Sequence, residues 1–386
     1  FVVFKYTAVR GLQTSLDESK NKYKVAHWIQ EIARSVVSFK LSGNTDLALK
    51  KTDGLVMGYL GARESHFRIL VIQVIQMITF KVFVTAGLLI IGGALVLTQE
   101  MNIGQFVAAE IIILLVIASV EKLIIGLESF YDVLTSLEKL GQVVDKELEP
   151  QEGERPDFSG DLTVELENVS YQVSDRNLPI LSDISMRIEP GSRLMIQGES
   201  GSGKSSLLRM IAGLLEPSSG HMYANQFSVE SLYLNHYRQH LGLSLAMEAP
   251  FEGTIRENIT FGNPDISDGD ILEALDQVGL TGFIQEQPKG LSTILHPEGK
   301  QISYTVSKKL VLARAIAKHP KLLILEDPLD HFSPKESRRL IDFLTHKDRP
   351  WALIVVSDNL YWEEHCHQAI VLEKGKIVES KSQGSC

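Results

Sequence analysis

The sequence predicts a multidomain chain, an all-α membrane-spanning region followed by an α/β domain built on a largely parallel sheet. Residues 69–98 form an apolar run carrying one charge, Lys81, long enough to cross a bilayer with some tilt. Beyond residue 155 or so, short apolar runs alternate with helical segments, the pattern of an α/β domain. Between the two lies KELEPQEGERPDFSGD, polar and acidic with two prolines and two glycines, which reads as a linker. The expected division is therefore 1–145 helical, 146–160 linker and 161–386 α/β.

Residues 15 to about 65 read as long amphipathic helices, because Val25, Trp28, Ile29, Ile32, Val36 and Phe39 recur at helical spacing between charges such as Glu18, Lys24 and Glu31. Gly43-Asn44 breaks the pattern and predicts a tight turn. After the first span at 69–98, a second apolar run from Phe106 to Val120 contains Glu110 and is followed by Glu121 and Lys122, giving a second span over about 105–128. The connector TQEMNIG has no Lys or Arg, whereas Lys40, Lys50, Lys51, Arg63 and Arg68 precede the first run. The positive-inside rule then puts the connector outside and both flanks in the cytoplasm. Glu110 is costly inside a span, and two readings stay open: it faces a substrate path, or it is hydrated near the membrane surface.

In the second domain LTVELENVSYQV, ISMRIEP and RLMIQG read as strands, and SSLLRMIAGLL and SKKLVLARAIAKH as helices. KLLILED and WALIVVSD are continuous apolar runs bounded by charge, as buried parallel strands are. The charge and cysteine content exclude other classes. A net charge of -10 argues against a nucleic-acid binder. Two cysteines, Cys366 and Cys386, are too few for a disulfide framework or zinc site. His365-Cys366-His367 would point in different directions and read as solvated surface, and Trp28 and Trp351 as packing residues. The chain opens at Phe1 within an apolar run without a signal-peptide pattern. It reads as a fragment lacking its N-terminal part.

The most specific signal is Gly198-Glu199-Ser200-Gly201-Ser202-Gly203-Lys204-Ser205, which fits G-x-x-x-x-G-K-[ST] between an apolar strand and a helix. Glycines let successive N–H groups turn inward on phosphate oxygens, and the helix start adds its dipole. Lys204 is expected to neutralise the β- and γ-phosphates and Ser205 to ligate Mg²⁺. With Ser206 next along the helix, these residues form the expected ATP-binding set.

GESGSGKSSLLRMIAGLLEPSSG, GTIRENITFG at 253–262 and LARAIAKHPKLLILEDP at 312–328 together resemble the nucleotide-binding domain of ATP-binding cassette (ABC) exporters. Residues 1 to about 145 resemble the second half of the exporter membrane domain. The resemblance implies a second half-transporter chain, as homodimer or heterodimer, with MgATP at each interface between the phosphate loop of one chain and the signature loop of the other. It further implies a bilayer, the bacterial inner membrane with the nucleotide domain in the cytoplasm, and a periplasmic adaptor where the cargo crosses an envelope. The stretch Leu41–Gly54 is the candidate turn that docks on a nucleotide domain, with an ordinary solvated helix end as the alternative.

The catalytic motifs depart from the family pattern. LSGGQ aligns with Ile302-Ser303-Tyr304-Thr305-Val306, both glycines lost, leaving Ser303, Tyr304 and Thr305 as a signature-like set. The family's Asp-Glu pair is inverted to Glu326-Asp327, so Glu326 is the candidate Mg²⁺ ligand and Asp327 the water-polarising group. The switch histidine aligns with Asp358, the loop glutamine with Ala246 or Met247, the loop aspartate with Ser333, and the adenine-stacking aromatic with Val173, for which Tyr171 is the candidate substitute. Signature and carboxylate changes share one chain, so neither homodimer nor heterodimer restores a fully standard site. The expected function is ATP-driven export with slow or altered hydrolysis; the alternative is a nucleotide-binding structural or regulatory membrane subunit.

Overall fold

The computed structural model describes residues 9–43, 45–173 and 178–382, and the chain divides into two compact units, residues 1–148 and 149–386. Asn44 of the expected turn and Cys386 lie outside the described residues.

The first unit is helical, with α1 (Val9–Arg34), α2 (Val36–Leu41), α3 (Leu47–Leu97) and α4 (Ile103–Val144). Gly43 takes a left-handed φ of 74° after α2, ending that helix. The expected docking stretch Leu41–Gly54 is shorter as a turn than its sequence suggested, because Leu47–Gly54 already belongs to α3. The apolar run is the second half of that same helix, and no break separates it from the amphipathic half. Helix α4 starts with a capping box: Asn102 Oδ1 accepts from the Gln105 amide at 2.8 Å, and Gln105 Oε1 accepts from the Asn102 amide at 3.1 Å.

Polar pairs register the helices. Trp28 Nε1 donates to Thr52 Oγ1 at 3.0 Å, the Ser15 and Thr135 hydroxyls meet at 3.0 Å, and Gln73 Nε2 donates to Tyr131 at 3.1 Å. Lys81, the single charge of the apolar run, lies 3.4 Å from Glu121. Among the described residues, two helices, Leu47–Leu97 and Ile103–Lys122, are long and apolar enough to cross a membrane by length and composition. Phe83, Ile90, Ile91, Ile112 and Leu115 stand exposed along them, an apolar surface that needs covering.

The strands of the second unit are β1 (Val164–Tyr171), β2 (Leu181–Ile188), β3 (Arg193–Gln197), β4 (Ser219–Ala224), β5 (Phe227–Ser228) and β6 (Leu241–Ser244). They continue with β7 (Gly253–Thr254), β8 (Ile294–Leu295), β9 (Leu322–Glu326), β10 (Ala352–Val356), β11 (Gln368–Glu373) and β12 (Lys376–Ser382). Its helices are α5 (Lys204–Ile211), α6 (Leu234–Gln239), α7 (Ile255–Thr260), α8 (Asp268–Gln277), α9 (Thr281–Gln285), α10 (Tyr304–Ala317) and α11 (Pro334–Thr345).

The main sheet has the order β12-β11-β3-β10-β9-β6 and is parallel except for β12. Its central strands are buried on both faces. Along β9, Leu322 and Ile324 enter one core cluster while Leu323 and Leu325 enter the other, the period-2 alternation that turns a doubly covered strand into a continuous apolar run. A second sheet, β2-β1-β4-β5, is antiparallel, an addition to the parallel architecture the sequence suggested.

From Glu149 onward the expected linker is laid onto this unit. Arg238 Nη1 donates to the Glu149 carboxylate at 2.8 Å, and Glu154 exchanges backbone hydrogen bonds with Ser231 and Tyr233 at 2.8 and 3.0 Å. Phe158 is buried and stacks on His236 with ring centres 5.7 Å apart. Cys366 is likewise buried, which corrects its assignment to solvated surface, and burial pushes its thiol up to about 12. Trp351 packs in the core as expected, its indole N–H donating to Leu344 at 3.1 Å.

Candidate functional site

The buried strand β3 delivers the chain into a loop whose backbone only glycine accommodates. Gly198 and Gly203 have φ of 147° and 105°. A Cβ on Gly198 would lie 2.2 Å from the Leu372 carbonyl oxygen, and one on Gly203 2.9 Å from that of Ile180. Helix α5 then starts at Lys204. Its ammonium folds back over the loop, donating to the carbonyls of Gly198 at 2.5 Å and Glu199 at 2.9 Å. A cavity of about 390 Å³ opens here, lined by Gly198, Ser200, Gly201, Gly203, Lys204, Ser205 and Ser206, and by Ile180, Glu326, Asp327, Val356 and Asp358. Ser202 is buried beneath the loop, its amide donating to the Glu199 carbonyl at 3.1 Å.

Strand β9 ends at the same cavity, in the position where parallel α/β sheets place ligands. Glu326 is 6 % exposed, and its Oε1 accepts from the Ser205 hydroxyl. Its Oε2 accepts from the Ala246 amide at 3.2 Å. Asp327 takes a left-handed φ of 43°, uncommon for a residue with a Cβ. Burial, then the charges of Asp358, Glu326 and Asp330, push its carboxyl above the usual range, against the pull of Lys204.

The remaining sequence candidates lie around this centre in different ways. Asp358 lines the cavity. Tyr171 ends β1 half-buried against the core, outside the cavity wall; its carbonyl accepts from Ile180, which is part of that wall, at 2.7 Å. Ser303 is the N-cap of α10, accepting from the Val306 amide at 3.2 Å. Tyr304 starts that helix, half exposed and edge-on to His331 at 5.4 Å, and Thr305 is half-buried. None of these three lines the cavity of its own chain. Ser333 caps α11 through the Glu336 amide at 3.3 Å, a structural task. Met247 points to solvent.

Sequence reasoning missed the work of Ala246, whose main chain rather than side chain touches Glu326. It also missed Lys308, buried on α10 with its ammonium donating to the Ala246 carbonyl at 2.5 Å. No motif announces a main-chain contact; the only available signal was a lysine at an otherwise apolar helix position.

A glycine-lined phosphate loop, a hydroxyl and a carboxylate meeting at its mouth, and a doubly covered parallel sheet define a nucleotide-binding domain of the P-loop class. Residues 181–330 match the ABC transporter family, to which this domain belongs. Over 296 residues the chain is 30% identical to the ATP-dependent lipid A-core flippase of Xanthomonas campestris, a match covering 76% of this chain and 50% of that protein. It is 29% identical over 295 residues to the alpha-hemolysin translocation ATP-binding protein HlyB of Escherichia coli, covering 75% of this chain and 41% of that one. The chain thus spans about half the length of the curated relatives it matches. A solved bacterial Atm1-family ABC exporter with ATP bound superposes with a TM-score of 0.86 at 17% identity, over 99% of this chain and 67% of that one. This likeness establishes the fold: a helical region fused to an ABC nucleotide-binding domain.

Proposed function

We propose that the chain is a subunit of an ABC-type exporter, an integral membrane protein that grips MgATP at a dimer interface and couples that grip to export, with slow or altered hydrolysis. The observation that carries this reading is the meeting of Ser205 and Glu326 at the mouth of the phosphate loop. Hydroxyl and carboxylate oxygens are the donors Mg²⁺ prefers, and the cavity beside them is walled by loop and α5 residues. The residues therefore fit the ion, with Ser205 and Glu326 holding it. When bound, Mg²⁺ supplies charge neutralisation to the β- and γ-phosphates.

The chain's own residues do the rest. Lys204 exchanges the Gly198 and Glu199 carbonyls for phosphate oxygens, so its ammonium leaves two hydrogen bonds and makes charge-assisted ones. Glycine N–H groups and the start of α5 orient the phosphates. Asp327 orients water, and its raised carboxyl keeps a proton to higher pH than an ordinary aspartate. Ser303 and Tyr304 of a second copy, or the matching residues of a different half-transporter, close the far side. The exported cargo is met by the helical region. The inner bacterial membrane completes the reading by analogy with the bacterial relatives, and a periplasmic adaptor is added by the family resemblance alone, where the cargo crosses an envelope.

The alternative, a nucleotide-binding structural or regulatory subunit with negligible turnover, draws support from Asp358. Its carboxylate lines the cavity and opposes ionisation of Asp327, and it repels a terminal phosphate. ATP turnover by the purified full-length protein, compared with Lys204→Ala and Asp327→Asn, tests the choice. Turnover lost in both variants supports the exporter ATPase, and a rate indifferent to both removes it in favour of the alternative.

A further inference from the structure

Lys308 is 3 % exposed, an expensive place for an ammonium group. A lysine on a helix ordinarily reaches solvent through its flexible stem; this one turns inward. Its Nζ donates to the Ala246 carbonyl at 2.5 Å. Ala246 in turn donates its own amide to Glu326 Oε2 at 3.2 Å, and Glu326 Oε1 receives the Ser205 hydroxyl. One hydrogen-bonded path therefore runs from the phosphate loop through the β9 carboxylate and a main-chain residue to α10.

Burial, the largest influence, lowers the affinity of the Lys308 amine for a proton, against the pull of the Glu248, Asp330, Asp327 and Glu326 charges that face it. The segment it holds is secured again further along α10, where Arg314 lies 3.7 Å from Glu248 and donates to the Asn258 carbonyl at 2.6 Å.

We propose that Lys308 is a positioning residue for the metal-ligating carboxylate of Glu326, acting through Ala246. It rests on the MgATP reading above. With the Ala246 carbonyl pinned, the amide of the same residue is aimed at Oε2, leaving Oε1 turned toward Ser205 and the cation position. Outer-shell partners of this kind typically change metal affinity by about 10- to 100-fold when removed.

The test uses the full chain in lipid nanodiscs and a fluorescent ATP analogue. Binding is measured in EDTA and across a Mg²⁺ titration, for the unmodified protein, Lys308→Met and Lys308→Arg, with hydrogen exchange read over residues 245–248. In Lys308→Met the Mg²⁺ concentration for half-maximal effect is expected to rise about 10-fold or more. Affinity in EDTA should stay unchanged, the Ala246 amide should exchange faster, and Lys308→Arg should recover most of the loss. An unchanged Mg²⁺ requirement overturns the inference, as does an equal fall in metal-free and metal-dependent affinity, the signature of a merely structural lysine. Lys308→Gln takes the place of the methionine variant if that fails to fold, with the same two outcomes. Unmodified protein that binds no nucleotide under either condition overturns the MgATP reading itself, a result separate from any behaviour of the variants.

Discussion

The Ser205 hydroxyl donates to the Glu326 carboxylate across 121 residues of sequence, tying the start of α5 to the end of β9. If these two groups hold one cation, they act as a unit. Ser205→Ala and Glu326→Gln should each weaken Mg²⁺-dependent nucleotide binding, and the double variant should lose much less than the sum. Residues in one network show coupling of about 0.5–3 kcal/mol. Titration calorimetry of the three variants measures it, and simple additivity would separate the pair functionally.

Asp327 yields a pH prediction. Its folded-state pKa is raised above the ordinary 3.8, chiefly by burial and then by neighbouring carboxylates. The folded chain therefore keeps this proton to higher pH than the unfolded chain. Its contribution to stability is fully present below 3.8 and is lost as pH rises through the raised folded value. Asp327→Asn removes that loss. Thermal unfolding of nucleotide-free protein should show the variant more stable than the parent near neutral pH, with the gap closing as pH falls. A gap that widens toward acid refutes the assignment.

Gly198→Ala should abolish nucleotide binding. Its new Cβ would press on the Leu372 carbonyl oxygen at 2.2 Å with φ at 147°. The Ser202 hydroxyl, 2.9 Å away, could turn aside, but the Leu372 carbonyl is main chain and cannot. Gly201, whose Cβ position meets nothing within 4 Å, still has φ of 84°. Gly201→Ala should therefore be the milder lesion, with backbone strain of about 1–3 kcal/mol. Fluorescent-nucleotide binding and melting temperature rank the two.

Cys366 should resist alkylation. Its thiol is buried and pushed up to about 12, so thiolate is scarce at neutral pH. Peptide mapping after iodoacetamide treatment should find Cys366 unmodified in native protein and modified once it is unfolded. Modification of the native protein would contradict its burial.

Much of this was legible in residue order. The phosphate loop announces itself because glycine spacing is dictated locally by backbone sterics. The runs KLLILED and WALIVVSD became β9 and β10 because both faces of each strand are covered. The antiparallel sheet was not legible as a sheet: β1 and β2 read as strands, but β1 pairs with the distant β4 as well as with β2, both pairings carry shifts in register, and their half-buried residues have weak periodicity. Glu326 was suggested by the family's carboxylate pair, inverted here at the end of an apolar strand, whereas Ala246 was hidden because its contribution is a main-chain amide that any residue but proline possesses. Tyr171 was suggested by a linear alignment, and the structure turns it toward the core instead of the cavity wall.

The unbroken course of α3 from Leu47 to Leu97 has a mechanical consequence. At 1.5 Å per residue its 51 residues make a rod of about 77 Å, more than twice the roughly 30 Å of hydrocarbon in a bilayer. Pivoting such a beam by about 10° sweeps its far tip through about 13 Å. A modest rocking at one extremity is therefore amplified at the other without any bond along the beam having to bend.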